Sequence, residues 1–261
     1  MDYQSIFERV ESKYVLSRTQ YNQLMSRIQN RLQEDLFPHS EISSIYFDTD
    51  DYRLVRAALD KPAYREKLRL RSYGMKDDSS EVFMELKKKY LGVIYKRRRV
   101  MSYSDAMKYI LFGRKPDNSQ IVNEIDYMMK KYPDLKPRVL ISYERDSYVM
   151  VPDSNIRITF DYDVRYSLDN VTLKNNKADK HLTGEDTIIM EIKSLNAMPL
   201  WLTEVLDEMR IFPGNYSKYG QIYTDVIMKG AKKCYNSYSH QYTAERLPLR
   251  YSSYARLHQL F

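Results

Sequence analysis

The chain has 261 residues, of which 43% are hydrophobic and 30% charged, with a formal net charge of +7. That length allows one large domain or two small ones, and the lack of any low-complexity linker or internal repeat favours one. The basic balance admits nucleic acid, phosphates and acidic membranes as partners, while Cys234, the only cysteine, excludes an internal disulfide and a Cys-based zinc site.

No stretch approaches the ~20 apolar residues of a membrane span. The N-terminus, with Asp2, Glu8 and Arg9, lacks the apolar run of a signal peptide. A soluble, cytoplasmic protein is expected. A basic, Tyr-rich tail from residue 232 to 261 reads as a peripheral extension of a domain spanning 1–231.

In chain order, 6–16 reads as a strand with Arg9, Glu11 and Lys13 on one face. Ser17 and Gln20 form a capping box. The helix behind it carries the stripe Tyr21, Leu24, Met25, Ile28 and Leu32, and Pro38 ends that unit. A second strand covers 42–48, and a short helix capped by Thr49 or Asp50 runs to about Leu59. The strand at 64–73 places Arg65, Lys67, Arg69 and Arg71 on one face. Strands at 81–89 and 93–100 form a hairpin around Gly92. The first places Phe83, Glu85, Lys87 and Lys89 together. The second has Lys96 and Arg98 on one face and Arg97 and Arg99 on the other, turned outward. Helices are predicted at 103–112 and 119–131. Strands resume at 139–149 (Tyr143, Arg145, Ser147), 155–164 (Arg157, Thr159, Asp161) and 187–193 (Ile189, Glu191, Lys193). Helices follow at about 199–209 and from Tyr216-Ser217-Lys218-Tyr219 to about Lys229.

Most strands thus have one apolar and one charged face. Cations about 7 Å apart along a strand repel by roughly 2.4 kcal/mol per neighbouring pair at an effective dielectric near 20. Such a face must look at water or hold an anion. Spacing alone leaves two arrangements open: solvated faces, or a closed antiparallel β-barrel of about eight strands with a charged lumen and helices packed outside, an α+β fold.

Seven segments bear on that choice. They are Arg9-Val10-Glu11-Ser12-Lys13, Ile45-Tyr46-Phe47-Asp48-Thr49, Leu68-Arg69-Leu70-Arg71-Ser72-Tyr73-Gly74, Phe83-Met84-Glu85-Leu86-Lys87, Arg157-Ile158-Thr159-Phe160-Asp161, Met190-Glu191-Ile192-Lys193 and Tyr216-Ser217-Lys218-Tyr219. In this order they resemble the triphosphate tunnel metalloenzyme superfamily, and within it the VTC-type polyphosphate polymerase domain. The related CYTH branch starts Glu-x-Glu-x-Lys; Arg9 stands at the first of those positions here, which points to the VTC branch.

The resemblance implies a tunnel in which the γ-phosphate of ATP passes to a growing polyphosphate chain. Arg69, Arg71, Lys87, Arg145, Arg157 and Lys193 are the implied catalytic cations. Lys13, Lys89, Lys96, Arg98, Ser217 and Lys218 would grip the nucleotide and the chain. Glu191 would ligate Mn²⁺ or Mg²⁺, with Glu85 and Glu11 as further metal candidates; for Glu85 and Asp161, pairing with neighbouring cations is the alternative. Arg65, Lys67, Lys89 and Arg98 are expected nearer a tunnel mouth, where a solvated role is an equal alternative. His39, His181, His240 and His258 fall in predicted loops or the tail, so none is a good general base. That suits a polymerase, whose acceptor phosphate is already an anionic nucleophile, better than a hydrolase, which must activate water. The alternatives are an inorganic tripolyphosphatase or nucleoside triphosphatase, and a non-catalytic polyphosphate-binding module. Nucleic acid is not an expected partner, because its readers set aromatics beside basic groups on an open face. Eukaryotic relatives join this domain to membrane spans and a regulatory module, so any membrane coupling here would come from a separate chain.

Overall fold

Local sequence accounts for the elements around the charged face. In the computed structural model, which describes residues 10–74, 76–152, 155–174, 177–195 and 197–230, strand β1 is Val10–Ser17 and helix α1 is Arg18–Ile28. The capping box is formed: Ser17 Oγ accepts from the Gln20 amide, and Gln20 Oε1 accepts from the Ser17 amide, both at 3.1 Å. Arg9 and the expected start of this strand at Ile6 lie outside the described residues, as does the 232–261 extension. Residues up to Ile222 form one compact unit and Tyr223 begins a second.

Strand β2, Leu32–Asp48, is longer than expected. Leu32 belongs to it and not to the helical stripe. It pairs with β6 (Lys136–Met150) on both sides of a register shift between Glu34 and His39. The irregular stretch contains Pro38, which cannot donate to a ladder. Helix α2 is Arg53–Asp60. Its cap is neither predicted residue alone. The buried Asp48 carboxylate accepts from the Leu54 and Val55 amides at 2.8 and 2.9 Å, and Thr49 Oγ1 accepts from Arg53 at 2.8 Å. Asp48 also accepts from the Tyr219 hydroxyl at 2.9 Å, tying α6 (Lys218–Ile222) to the same anchor.

Strands β3 (Tyr64–Tyr73), β4 (Glu81–Tyr90) and β5 (Val93–Ser102) follow the expected bounds closely. Leu91 and Gly92, at φ 45° and 90°, make the two-residue turn of the β4–β5 hairpin. Helices α3 (Tyr103–Phe112) and α4 (Gln120–Lys131) come next. Strands β6, β7 (Ile156–Ser167), the two-residue β8 (Lys180–His181) and β9 (Thr187–Ser194) precede α5 (Leu200–Glu208). His39 and His181 lie in strands, not loops. His39 Nδ1 stands 2.9 Å from Asp146.

All strand pairs are antiparallel, and the sheet runs β1-β9-β7-β6-β2-β3-β4-β5, with β8 on β7. It is therefore a nine-stranded α+β sheet, and among the described residues the closed eight-stranded barrel is not formed: β1 and β5 each pair with one strand only. The composition of β5 gives a physical reason. Its run Lys96-Arg97-Arg98-Arg99 is the kind of charge that blunts an edge against further pairing.

The apolar faces are covered from outside, as expected. Leu68, Leu70, Val82, Met84 and Leu86 pack under α3 and α4 through Ala106, Tyr109, Val122, Ile125 and Met128. Tyr14, Leu16, Ile158, Phe160, Met190 and Ile192 pack under α1 and α5 through Leu24, Ile28, Leu202 and Leu206. Arg97 and Arg99 do turn outward, to Glu124 and Asp117. No helix among the described residues is long and apolar enough to cross a membrane.

Candidate functional site

The charged faces of β1, β3 and β4 meet, with Ile94 of β5, at a cavity of about 330 Å³. Its walls hold Lys13, Lys61, Arg65, Lys67, Lys87 and Lys89 against one carboxylate, Glu11; Ala58, Leu59, Ile94 and the loop 214–217 complete it. So the cation-bearing faces turn inward although the sheet does not close.

Strand register sharpens the charge pattern. Lys67 stands opposite Lys87, and Lys87 opposite Lys96, a lateral row of three lysines across β3, β4 and β5. One step along, Arg65 stands opposite Lys89. Directly opposed like charges destabilise a sheet. No carboxylate lies within ion-pair distance of Lys67, Lys87 or Lys96 among the described residues. Burial pulls the Lys87 ammonium down to about 8; Lys96, Lys13 and Lys67 pull the same way, against Glu11. Burial also lowers Lys67, helped by Arg69, Arg65 and Lys13.

A second row, Arg69–Glu85–Arg98, lies one step along the same face. Glu85 accepts from Arg69 Nε at 2.6 Å and from Arg98 Nε at 2.8 Å, and Arg71 Nε stands 4.0 Å away. Burial would raise this carboxyl, but Arg69 and Arg71 hold it below the usual carboxylate range. Tyr46, which the motif reading left without a role, accepts from Arg69 Nη1 at 3.1 Å. Burial would raise its phenol, yet Arg69, Arg71 and Lys67 bring it down to about 8.

On the other flank Asp161 is fully buried. Arg145 grips it bidentately, Nε to Oδ1 at 2.6 Å and Nη2 to Oδ2 at 2.8 Å, and Lys218 donates to Oδ2. Lys218 Nζ and Arg145 Cζ lie 4.2 and 5.4 Å from the centre of the Tyr143 ring. The Asp161 carboxyl is held low by Lys218 and Arg145 against the effect of burial.

Glu191 accepts from Lys13 at 2.8 Å and from Lys193 at 2.6 Å; Glu11 also takes the Lys13 ammonium. Lys193 and Lys13 keep Glu191 far below the usual range despite burial. Of the three metal candidates, Glu11 and Glu191 therefore converge on one point, now held by Lys13. Two carboxylates with phosphate oxygens and water fit a hard divalent cation. Among the described residues no group of three His, Cys, Asp or Glu forms an all-protein cage. Glu85 lies apart from that point, with Arg69 and Arg98 donating to it.

Two residues of the implied set have partners of their own. Arg157 turns to Asp35 at 2.8 Å and its side chain is 55% exposed. Ser217 lines the cavity, but its Oγ accepts from the Gly220 amide at 3.2 Å, starting α6. Sequence reasoning placed Lys67 and Arg65 toward a mouth and passed over Lys61, Tyr46 and Tyr143. The register of β3 against β4 is the signal that would have put Lys67 in the row.

The Lys87 value sets a pH dependence. Anion binding favours the ammonium form, so tripolyphosphate affinity should fall as pH rises through about 8. Lys87→Arg, charged throughout this range, should flatten the fall between about pH 7 and 9, roughly one unit either side of that midpoint. Titration calorimetry on both proteins checks it, and the variant controls for the ligand's own protonation. Parallel slopes would remove Lys87 from the contact.

An inward-facing cation array on an α+β antiparallel sheet is a surface whose charge suits a polyanion. The chain belongs to the VTC domain family, whose model matches residues 8–226. No curated protein matches the sequence. Among solved structures, a candidate adenylate cyclase from Bacillus halodurans shares 14% identity, with a TM-score of 0.49, covering 80% of this chain and 93% of that one. The candidate adenylyl cyclase HpAC1 from Hippeastrum, described as having a dominant triphosphatase activity, shares 12% identity with a TM-score of 0.48, covering 83% and 95%. The PH1819 protein from Pyrococcus horikoshii shares 11% identity with a TM-score of 0.44, covering 84% and 99%.

Proposed function

We propose that this protein is a metal-dependent polyphosphate polymerase that moves the γ-phosphate of ATP onto a polyphosphate chain. The VTC and related tunnel folds include phosphotransferases and triphosphatases. The observation that carries a phosphate-chain ligand is the Lys67–Lys87–Lys96 row, three opposed cations with no carboxylate partner among the described residues. A ligand with repeating negative charge relieves that repulsion.

In the reaction, a terminal phosphate oxygen of the acceptor attacks the γ-phosphorus. The β–γ bridging bond breaks, ADP leaves with its electron pair, and a new phosphoanhydride forms. Positioning and charge stabilisation dominate such transfers. Lys67, Lys87 and Lys96 would hold successive phosphates, and Arg69, Arg71 and Arg145 would present planar forks to phosphate oxygens. Glu11 and Glu191 would hold Mn²⁺ or Mg²⁺, which would neutralise charge developing on the transferred group.

Transfer to phosphate is favoured over hydrolysis by the state of the carboxylates. Glu85, Asp161 and Glu191 are all held anionic by adjacent cations. Each is a weak proton acceptor and a poor activator of water. Incubation of the purified chain with ATP and Mn²⁺ should give ADP and long polyphosphate, and Glu191→Gln should lose that activity while staying folded. Orthophosphate as the sole product would establish a triphosphatase instead. Tripolyphosphate binding without turnover would make the chain a polyanion-binding module.

A further inference from the structure

The β4–β5 hairpin ends in apolar and aromatic side chains that face water. Tyr90, Leu91 and Val93 are 52%, 68% and 54% exposed, and Ile94 and Tyr95 are exposed beside them. Single apolar residues on a surface are ordinary, but a contiguous group marks a contact surface. The turn is unusual in a second way. Leu91 and Gly92 both have positive φ, as a type I′ turn requires. Asn, Asp and Gly take the first of these positions readily, whereas a leucine does so under strain. Neither the solvent nor the backbone favours leucine here. Such a local conflict is the mark of a residue kept for its side chain.

Cations surround this tip. Lys87-Lys88-Lys89 precede it and Lys96-Arg97-Arg98-Arg99 follow it. The Leu91 amide donates to the Ala63 carbonyl at 3.0 Å, which brings the segment holding Lys61 and Arg65 alongside. Arg65 stands opposite Lys89 in the ladder. None of the ion pairs among the described residues includes Lys61, Arg65 or Lys89. Of the neighbouring carboxylates, Glu66 is buried and taken by Lys131, and Glu124 is taken by Lys88 and Arg97. Asp60 is exposed beside Lys61.

We infer that the hairpin tip docks on an anionic lipid surface, with Leu91 and Val93 entering the bilayer interface and Lys61, Arg65 and Lys89 meeting acidic headgroups. The tip is a turn and not a groove, so it suits a soft surface that it can enter. Its composition follows the depth order of a lipid interface. Apolar groups reach the acyl boundary, tyrosines sit at headgroup level, and lysines and arginines reach the phosphates. Each cation held near an anionic surface strengthens binding about fivefold. Such a contact needs no spanning helix and is made by this chain itself. Lys89 and Ile94 also line the cavity, so docking holds the ligand site beside the bilayer. The inference stands apart from the polyphosphate reading, since it does not depend on what the cavity binds.

The test is flotation of the full chain at about 0.15 M salt, with vesicles of phosphatidylcholine alone and of phosphatidylcholine and phosphatidylserine at about 3 to 1. Wild type is compared with Leu91→Asn/Val93→Thr. Asn-Gly is a favoured type I′ pair and Thr a good strand residue, so this variant keeps the hairpin and every charge, and its melting temperature should not fall. Wild type should bind the vesicles that carry phosphatidylserine and not those that lack it. The double variant should bind them about tenfold or more weakly. Equal binding by the two proteins would leave net charge as the sole cause and overturn the anchor. Equal binding to both kinds of vesicle, or no binding by wild type, would overturn it as well. Gel filtration without lipid completes the test: a wild-type dimer that the variant loses would assign the tip to a second copy of the chain instead.

Discussion

Replacing Lys67 and Lys87 together by Gln should weaken tripolyphosphate binding by about a hundredfold or more and at the same time raise the melting temperature. The two effects have one cause. A hydrogen bond to a charged group contributes about 1.5–3 kcal/mol, so two lost phosphate contacts exceed a factor of ~100 in affinity. Without ligand, the same ammonium groups face one another across β3, β4 and β5, and opposed like charges cost up to about 1 kcal/mol per pair. Calorimetry and thermal melts at low salt read both quantities. Unchanged affinity would remove the row from the binding surface. A lower melting temperature would mean that the lysines are held by partners in the free protein, although none of the ion pairs among the described residues includes them.

The opposite trade is expected at Asp161. Asp161→Asn keeps the shape but leaves Arg145 and Lys218 buried without their carboxylate. Breaking a buried pair from one side costs about 3–5 kcal/mol, a fall in melting temperature on the order of 10 °C for a domain of this size. Tripolyphosphate binding should hold or tighten, since two cations are released. The pH profile follows from the depressed carboxyl. Its stabilisation is fully present above the ordinary value of 3.8 and is lost as pH falls through the lower folded value. Wild type and variant should therefore differ most near neutrality and converge in strong acid. A constant difference across that range would show that packing, and not charge, sets the cost.

Much of this arrangement was legible in the chain. Alternation fixed which face of β3, β4 and β9 carries charge, because the period of two is a local property. The Ser17–Gln20 box and the hairpin at Leu91-Gly92 were equally local, and a two-residue turn sets Lys87 opposite Lys96 by itself. Closure was not legible. It depends on whether β1 and β5 meet, a contact between segments some eighty residues apart that no local pattern encodes. The β3–β4 register hangs on the loop after Gly74, so the place of Lys67 in the row was hidden too. The role of Asp48 was also missed, since its cap reaches across a turn to amides six and seven residues on. Glu85 was left between a metal and its neighbours, and the register of β3, β4 and β5 that brings Arg69 and Arg98 to it is not a local property.

The hydrophobic packing is split between two flanks, one under α3 and α4 and one under α1 and α5, with the ionic surface between them. Among the described residues these two clusters are separate, so they share no one oily centre that would couple the melting of the two flanks. An anion spanning Lys13 on one flank and Lys87 on the other would then act as the mortar, and cooperativity of unfolding would become a property of the loaded protein rather than of the bare chain.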